Sequence, residues 1–383
     1  MAGVAVLGFG VVGAGVVGLL EQNAERVAEK AGQAVTLKYI LDIRAFPDSP
    51  YAGFLAEDFS IIENDPEVQV VVECIGGVGA ALALTRRALL AGKHVVTTNK
   101  ELVAEHGAEL QSIAAARNLN YLFEGSVGGG IPVLRPLSQC LAANHIREIT
   151  GILNGTTNYV LTRMIRAGVS FEEALAEAQS LGYAEADPSD DVHGKDTCRK
   201  ICILASLAFG RHVYPEQVAT EGIAGITRAD VRFAHARGYQ IKLLGRALPG
   251  SNGGPACLYV APHFVRDEHP LAGVQDVFNG IWMEGDAIGE VMFYGRGAGA
   301  LPTASAVVAD IIDSVKHMGA RKWVGWQPAV SRAPLTDEGL RTAWYVRLDE
   351  TGGGIITEPM TRAERAAWEA TLPRPPADCM RVL

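Results

Sequence analysis

The sequence predicts an α/β protein whose first half forms a doubly wound parallel sheet and whose second half forms a separate α+β domain. Three observations support this prediction. Short apolar runs alternate with helix-like segments from residue 3 to residue 124, and a glycine-rich turn follows the first run. After about residue 137 this alternation ends, and helix-like segments mix with longer strand-like ones.

The elements of the first half follow one another in strict alternation. Predicted strands cover residues 3–7, 36–41, 68–73, 94–98 and 120–124. Predicted helices cover residues 14–30, 80–91 and 101–117. A parallel sheet covered by helices on both faces is the arrangement that such alternation builds.

Gly8, Gly10 and Gly13 form a G-x-G-x-x-G turn directly between the first strand and the first helix. The first glycine permits the turn, the second lets a pyrophosphate approach the backbone, and the third lets helix and strand pack closely. Amide groups at the start of the helix then face the negative charge. A tight structural turn is the alternative, but the strand before and the helix after favour a Rossmann-type dinucleotide site.

The preference between NAD and NADP stays open in the sequence, with NADP slightly favoured. Asp42 lies near the end of the second strand, where a carboxylate binds the ribose 2′-hydroxyl of NAD. Arg44, two residues later, could pair with the 2′-phosphate of NADP.

Ligands of such sheets bind beyond the carboxyl ends of the strands. Gly76 and Gly77 follow the third strand, and Thr97, Thr98, Asn99 and Lys100 follow the fourth. Lys100 is therefore a candidate to contact substrate or cofactor, although a solvated lysine is common at strand ends.

Residues 124–132, Glu-Gly-Ser-Val-Gly-Gly-Gly-Ile-Pro, follow the fifth strand. Such flexible backbone could cradle a ligand or surround a hard cation with carbonyl oxygens and the Glu124 carboxylate. A plain hinge leaving the sheet is the alternative.

An acidic loop, residues 182–196, leads into a helix-like segment that is apolar nearly all round and therefore expected to be buried. Asp196 and Lys200 stand four residues apart, on one face of its first turn. Carboxylates beside a lysine suit proton transfer, but from spacing alone a structural ion pair is an equal alternative.

Composition limits the possible partners. The chain has 383 residues, 48% of them hydrophobic, and a net charge of −9, which argues against nucleic acid. The six cysteines show neither a metal-binding spacing nor a dense disulfide framework. No apolar run reaches the length of a membrane span, and no basic segment precedes the first apolar residues, so a cytoplasmic enzyme is expected.

With these motifs in place, the chain resembles homoserine dehydrogenase from about residue 4 to residue 318. The resemblance rests on segments 8–13, 99–100, 124–132, 154–158 (Asn-Gly-Thr-Thr-Asn) and 182–200, with 295–310 as a sixth. It implies reversible NAD(P)H-dependent reduction of L-aspartate 4-semialdehyde to L-homoserine, on the route to threonine and methionine.

The resemblance also implies roles for individual residues. Lys200 is expected to donate the proton, with Lys100 on the other side of the reacting oxygen, and Glu185, Asp191 and Asp196 are expected to hold the substrate amino group. A monovalent cation, typically sodium, is expected at Glu124, Val127, Gly129 and Ile131. The expected cofactor-binding residues are Phe9, Gly10, Val11, Val12, Gly13, Arg44, Gly76, Thr98, Lys100 and Gly299.

The expected organisation has four parts. Residues 1–136 bind NAD(P), residues 137–294 bind substrate and dimerise, residues 295–320 return to the nucleotide-binding domain, and residues 321–383 form a tail. The resemblance implies a homodimer or homotetramer. The strand-like residues 344–348 resemble the start of an ACT regulatory domain, but Pro373 and Pro376 interrupt the short segment after it, so an incomplete remnant and weak or absent threonine inhibition are expected.

Two other functions are compatible with the nucleotide-binding half. A non-catalytic NAD(P)-binding sensor would bind cofactor without turnover, but it leaves Glu185, Asp196 and Lys200 without a role. Another Rossmann aldehyde dehydrogenase would need an activated cysteine, and none of the six has a supporting glycine or asparagine turn around it.

Overall fold

The computed structural model describes residues 1–250, 256–322, 325–349 and 353–383. The chain forms two compact units, each assembled from three stretches of sequence. The first unit comprises Met1–Ala142, Ser206–Val213 and Ala298–Val330, and the second comprises Ala143–Ala205, Tyr214–Gly297 and Ser331–Leu383. Within the described ranges, every helix is too short or too polar to cross a membrane.

Strands and helices are numbered separately in chain order. The strands are β1 (Ala2–Leu7), β2 (Val35–Leu41), β3 (Val68–Glu73), β4 (His94–Thr97), β5 (Tyr121–Leu122), β6 (Ile146–Ile152), β7 (Ala219–Thr220), β8 (Tyr239–Leu248), β9 (Cys257–Arg266), β10 (Phe278–Gly285), β11 (Gly289–Arg296), β12 (Trp344–Arg347), β13 (Gly354–Ile356) and β14 (Asp378–Val382). The helices are α1 (Val11–Gln22), α2 (Ala24–Ala31), α3 (Phe59–Asn64), α4 (Gly79–Leu90), α5 (Lys100–Ala116), α6 (Gly155–Ala167), α7 (Phe171–Ser180), α8 (Ser189–Val192), α9 (Lys195–Phe209), α10 (Arg228–His235), α11 (Ala300–Lys316) and α12 (Arg362–Glu369).

The first unit is built on a five-stranded parallel sheet in the order β2-β1-β3-β4-β5. Val70, Val71 and Val72 of β3 are all fully buried. Because successive side chains of a strand point to opposite faces, both faces of the sheet are covered at this strand. The predicted fold class, a Rossmann-type parallel sheet followed by a second domain, is confirmed.

The helix after the glycine turn differs from the single one predicted over residues 14–30. It consists of α1 and α2, which meet at Asn23, whose φ of −110° and ψ of 23° lie outside the helical range. Asparagine competes with helical hydrogen bonding through its own side chain, so it favours helix ends over interiors. Apolar periodicity alone does not reveal this break.

The chain returns to the first unit at α11, which packs against α1. A Cβ atom built on Gly15 of α1 would lie 3.2 Å from the Cβ of Ala304 of α11, so the two helices are in close contact. Val307, Ile311 and Val315 of α11 join the apolar core that contains the strands of the parallel sheet. A segment distant in sequence therefore completes the core of this unit.

The second unit is built on a nine-stranded sheet. Its main path runs β11-β10-β6-β8-β9-β14-β12-β13, and β7 pairs separately with β9. Most pairs are antiparallel, whereas β14 and β7 run parallel to β9. The sheet is therefore mixed. Glycine and charged residues interrupt the apolar runs of β6 and β10, so their sequences give a weak strand signal.

The C-terminal residues contribute three of these strands. Strand β12, at the position of the predicted strand 344–348, pairs with β14, and β14 continues the sheet next to β9. Tyr345 of β12 is fully buried, and its ring stacks on Phe264 of β9 with centroids 4.3 Å apart. These residues thus belong to the core of the second unit.

Candidate active site

The glycine turn has the geometry that its spacing predicted. Gly8 has a φ of +89°, and a Cβ atom there would lie 2.7 Å from the carbonyl oxygen of Cys74. A Cβ at Gly13 would lie 2.0 Å from the carbonyl oxygen of Gly8, so only glycine fits. Gly10 differs, because the nearest atom to its Cβ would be Nη2 of Arg44 at 3.9 Å. The turn is closed beneath Gly8 and Gly13 and open at Gly10, as the approach of a pyrophosphate requires.

The N-cap residue of α1 is Gly10, which has no side chain that could hydrogen-bond the first amide groups of the helix. The amide groups at the start of α1 therefore remain available to an anion. Val11 is 73% exposed here, whereas Phe9 and Val12 are partly buried. The Phe9 ring packs edge-on against Phe46, with ring centroids 5.1 Å apart.

Asp42 and Arg44 form one tightly bonded group at the end of β2. Oδ1 of Asp42 accepts hydrogen bonds from the backbone N–H of Arg44 at 2.9 Å and from its Nε at 3.0 Å. Oδ2 accepts from the backbone N–H of Phe9 at 2.7 Å and from Nη2 of Arg44 at 2.9 Å. These bonds, led by that of the Arg44 guanidinium, lower the pKa of Asp42 to about 2. The Arg44 side chain is 58% exposed, against 6% for Asp42.

Beyond β4, Asn99 organises the carboxyl edge of the sheet. Its side-chain oxygen accepts from the N–H of Leu102 at 3.0 Å, which caps α5 at the helix end that begins with Lys100. Its Nδ2 donates to the carbonyl oxygens of Ile75 and Gly77, at 3.0 and 2.6 Å. The backbone on both sides of Gly76 is thereby tied to the start of α5. Thr98 and Lys100 are partly buried at this edge, and Gly299 caps α11 with a φ of +118°.

The Glu124 segment forms a short 3₁₀ turn, Glu124–Ser126. The Glu124 carboxylate, which the sequence suggested as one of the ligands of a cation, accepts three hydrogen bonds from backbone amides. Oε1 accepts from the N–H groups of Val133 and Leu134, at 2.6 and 2.9 Å, and Oε2 accepts from that of Arg135 at 2.7 Å. The side chain therefore caps the segment that follows the loop. Over the described ranges, no group of three or more His, Cys, Asp or Glu side chains is arranged to hold a metal ion.

Two features of this loop leave its carbonyl oxygens as possible ligands. Gly129 has a φ of +55°, which reverses the backbone within the segment. A Cβ on Gly128 would lie 2.4 Å from the carbonyl oxygen of Ile131, so that carbonyl turns in towards the loop. The carbonyl oxygens of Val127, Gly129 and Ile131 are of the chemical type that a hard monovalent cation prefers.

In the second unit, Asn154 brings the acidic loop and the lysine helix together. It follows β6 and caps α6, with Oδ1 accepting from the N–H of Thr157 at 2.8 Å. Its Nδ2 donates to Oδ1 of Asp191 at 2.7 Å and to Oδ2 of Asp196 at 2.8 Å. One amide nitrogen therefore holds the two carboxylates side by side.

Lys200 completes this cluster. Its Nζ donates to Oδ2 of Asp196 at 2.8 Å and to the carbonyl oxygen of Leu153 at 2.8 Å. The side chains of Lys200 and Asp196 are 9% and 5% exposed. The ammonium group has three N–H donors, so one remains for another acceptor, such as a substrate oxygen. The predicted pairing of the two residues on one face of the helix is present.

Asp191 is only partly buried and lies at the margin of the cluster. Burial and the neighbouring Asp196 carboxylate both raise its pKa, with burial the larger cause, whereas the Asn154 amide opposes the rise. Two carboxylates held close together attract a cation, and an ammonium group of a substrate would relieve their repulsion.

Glu185 is not part of the bonded cluster. It lies in the turn after α7 with its side chain exposed, and its backbone carbonyl accepts from Nε2 of Gln179 at 3.2 Å. Conversely, sequence reasoning assigned no role to Asn154, Leu153 or Asn99. An asparagine between a strand and a helix is a recognisable helix cap. The sequence does not show, however, which carboxylates the Asn154 side chain bonds.

The fold and the two clusters define an NAD(P)-dependent oxidoreductase: a dinucleotide turn in one unit, and a lysine set among carboxylates in the other. Two family models match the chain. "Homoserine dehydrogenase, NAD binding domain" matches residues 8–124, and "Homoserine dehydrogenase" matches residues 132–312. Together they cover most of the chain, which belongs to the homoserine dehydrogenase family.

Individual relatives agree with this assignment. A homoserine dehydrogenase of Pseudomonas aeruginosa is 42% identical over 94% of this chain and 84% of its own length. The crystal structure of a homoserine dehydrogenase from Thiobacillus denitrificans has a TM-score of 0.88 at 35% identity, covering 100% of this chain and 98% of that one. A hyperthermophilic archaeal homoserine dehydrogenase in complex with NADPH has a TM-score of 0.69 at 26% identity, covering 82% and 97%.

Proposed function

We propose that the protein catalyses the reversible NAD(P)H-dependent reduction of L-aspartate 4-semialdehyde to L-homoserine, in threonine and methionine biosynthesis. The cluster of Asp191, Asn154, Asp196 and Lys200 carries this proposal. It offers two carboxylates for a substrate ammonium group and one N–H donor for a substrate oxygen. Within this family, a substrate that carries both an ammonium group and an aldehyde oxygen needs these two kinds of contact.

Each residue then has a defined task. A bound reduced nicotinamide supplies the hydride to the aldehyde carbon. Lys200 donates a proton to the oxygen as negative charge develops there, so the aldehyde gains one hydride and one proton and becomes an alcohol. Asp191 and Asp196 hold the amino group, and the exposed Glu185 is proposed to close on it from the loop. Lys100 is proposed to approach the same oxygen.

We propose NADP as the preferred cofactor, because the Asp42 carboxylate is already saturated. Each of its oxygens accepts two hydrogen bonds, which leaves no lone pair for a ribose 2′-hydroxyl. The exposed Arg44 guanidinium retains N–H donors for a 2′-phosphate. Phe9, Gly10, Val11, Val12, Gly13, Gly76, Thr98 and Gly299 are proposed to line the rest of the cofactor site.

The cofactor proposal is tested by measuring the dissociation constants of NADPH and NADH separately. In an Arg44→Ser variant, the dissociation constant of NADPH should rise about tenfold or more, because a charge-assisted hydrogen bond is lost. That of NADH should stay the same or fall, because the substitution frees the two Asp42 lone pairs that the Arg44 side chain occupied, and it serves as the internal control. An equal change for both cofactors would refute the pairing of Arg44 with the phosphate.

A monovalent cation, sodium in the first instance, is proposed to bind the backbone carbonyl oxygens of Glu124, Val127, Gly129 and Ile131. Its role is structural, bracing the segment whose carboxylate already caps residues 133–135. Replacing sodium chloride by tetramethylammonium chloride should lower the midpoint of thermal unfolding, and an unchanged midpoint would exclude the site.

The protein is further proposed to be cytoplasmic, to act as a homodimer or homotetramer, and to need neither nucleic acid nor membrane.

Turnover is tested by following the absorbance of the reduced nicotinamide with L-homoserine, offering NADP and NAD in turn. Lys200→Met should abolish turnover while cofactor binding persists. Lys195→Met is the matched control, because Lys195 lies in the same helix, is exposed and forms an exposed ion pair with Asp190 at 3.7 Å. Cofactor binding without turnover in the unsubstituted protein would instead indicate a sensor.

A thiol-acylating aldehyde dehydrogenase is the less favoured alternative. Among the cysteines, Cys74 follows β3 and is the one at the carboxyl edge of the parallel sheet. Burial raises the pKa of its thiol to about 12, so the nucleophilic thiolate is scarce at neutral pH. Turnover that resists thiol reagents would exclude this alternative.

A further inference from the structure

A buried carboxylate lies at the carboxyl edge of the parallel sheet, between segments proposed to meet the cofactor. Glu73 is the last residue of β3 and is fully buried. Its Oε1 accepts from the backbone N–H of Ile75 at 2.6 Å, and its Oε2 accepts from the hydroxyl group of Thr97 at 2.5 Å. A buried carboxylate is costly unless hydrogen bonds replace its lost hydration, and these two donors do so in part.

The hydrogen bonds around Glu73 form a closed ring. The Thr97 oxygen accepts from the N–H of Asn99 at 2.9 Å and donates its only proton to Glu73. The Asn99 side chain donates in turn to the carbonyl oxygen of Ile75 at 3.0 Å. The ring runs from Glu73 through Ile75, Asn99 and Thr97 and back. The ring joins the turn after β3 to the start of α5. Within it, both carboxylate oxygens of Glu73 act as acceptors.

We propose that Glu73 is a positioning residue for the reaction. Its carboxylate fixes the backbone of residues 75–77 and, through Thr97 and Asn99, the first turn of α5, which carries Lys100. This inference rests on the proposed function, in which Gly76, Thr98 and Lys100 contact the cofactor or the substrate. Glu73 itself is buried beneath them and acts through its neighbours.

Protonation of Glu73 would weaken the ring. A neutral carboxyl group is a poorer acceptor than a carboxylate, so the bonds from Ile75 and Thr97 lose their charge-assisted strength. Burial raises the pKa of Glu73 to about 7, although the hydrogen bonds from Thr97, Ile75 and Asn99 oppose the rise. The nearby titratable groups, Cys74 and Tyr121, both have raised pKa values and stay neutral across this range. The ring is therefore strongest above about pH 7 and weakens as the pH falls below it.

The test is the dissociation constant of NADPH, measured by nicotinamide fluorescence across the neutral pH range. For the unsubstituted protein, this constant should rise as the pH falls through 7. Glu73→Gln should bind NADPH roughly tenfold more weakly at alkaline pH, since its amide NH₂ group faces one of the two donors. This variant should also show a flatter pH dependence, because its amide does not titrate. Glu109→Gln is the matched control: Glu109 lies in α5 of the same unit, paired with Arg86 and partly exposed.

A second variant keeps the test decisive if Glu73→Gln folds poorly. Thr97→Val removes the hydroxyl link while preserving shape and should also weaken NADPH binding. The effect of combining the two substitutions should be smaller than the product of the single effects, because both break the same ring. Unchanged affinity in Thr97→Val, or a pH dependence in Glu73→Gln equal to that of the unsubstituted protein, would overturn the proposal. If the unsubstituted protein bound neither NADPH nor NADH, the proposed function would fail, and this proposal with it.

Discussion

Replacing Lys200 by methionine should destabilise the second unit as well as stop turnover. Methionine retains most of the side-chain length but leaves the carboxylate of Asp196 without its cation. The two charges lie 2.8 Å apart with side chains 9% and 5% exposed. At an effective dielectric constant of about 20, their attraction is on the order of 6 kcal/mol.

The measured loss should be smaller than this attraction, because the amide of Asn154 still donates to Oδ2 of Asp196 at 2.8 Å. Removing one partner of a buried ion pair typically costs about 3–5 kcal/mol. We expect a value near the lower end, which corresponds to a fall of roughly 6–12 °C in the unfolding midpoint of a unit of this size.

Urea and thermal unfolding followed by circular dichroism measure this loss. Lys195→Met should change stability by less than about 0.5 kcal/mol, because its ion pair is exposed. Adding Asp196→Asn to Lys200→Met should restore part of the lost stability, since it removes the unpaired charge. If Lys200→Met is as stable as Lys195→Met, or if the double variant is no more stable than the single one, Lys200 does not neutralise Asp196.

Two further predictions concern the glycine turn and a buried lysine. Gly13→Ala should abolish dinucleotide binding or unfold the first unit, because its Cβ would lie 2.0 Å from the carbonyl oxygen of Gly8; Gly18→Ala in the same helix meets nothing within 4 Å and should stabilise it by about 0.5–1 kcal/mol. Equal loss of cofactor affinity in both variants would contradict the steric argument. Lys242 is 1% exposed, and burial lowers its pKa from 10.5 to about 7. Lys242 therefore binds its proton more tightly in the unfolded chain than in the folded one. The folded state should therefore gain stability as the pH rises from about 7 towards 10.5, and Lys242→Met should lose this dependence; identical slopes of unfolding free energy against pH in the two proteins would show that Lys242 is not the group responsible.

The sequence predicted the parts of the molecule that depend on local order. The turn from Gly8 to Gly13 is read from residues adjacent in the chain, and the close contact of Gly13 with the carbonyl oxygen of Gly8 is made within the same βα unit. The pair of Asp196 and Lys200 is equally local, because helical spacing places both on one face.

Parts that depend on distant segments were not predictable in the same way. Lys200 bonds the carbonyl oxygen of Leu153, 47 residues away, and a backbone acceptor leaves no trace in side-chain patterns. The three amide donors to Glu124, residues 133–135, lie beyond the glycine-rich segment, so the sequence did not show that its carboxylate caps them. The position of Glu185, exposed on its loop, likewise depends on tertiary structure, not on charge pattern.

The discontinuity of both units constrains how the chain can fold during its synthesis. The first unit needs α11 to cover α1, and the second needs β14 to pair with the backbone of β9. Neither unit can complete its core until residues from the last quarter of the chain have left the ribosome. Until then, β9 presents unpaired backbone groups, which is the kind of edge that other chains can join. The nascent protein therefore spends most of its synthesis with the core of the first unit uncovered and the sheet of the second incomplete, until α11 and then β14 emerge.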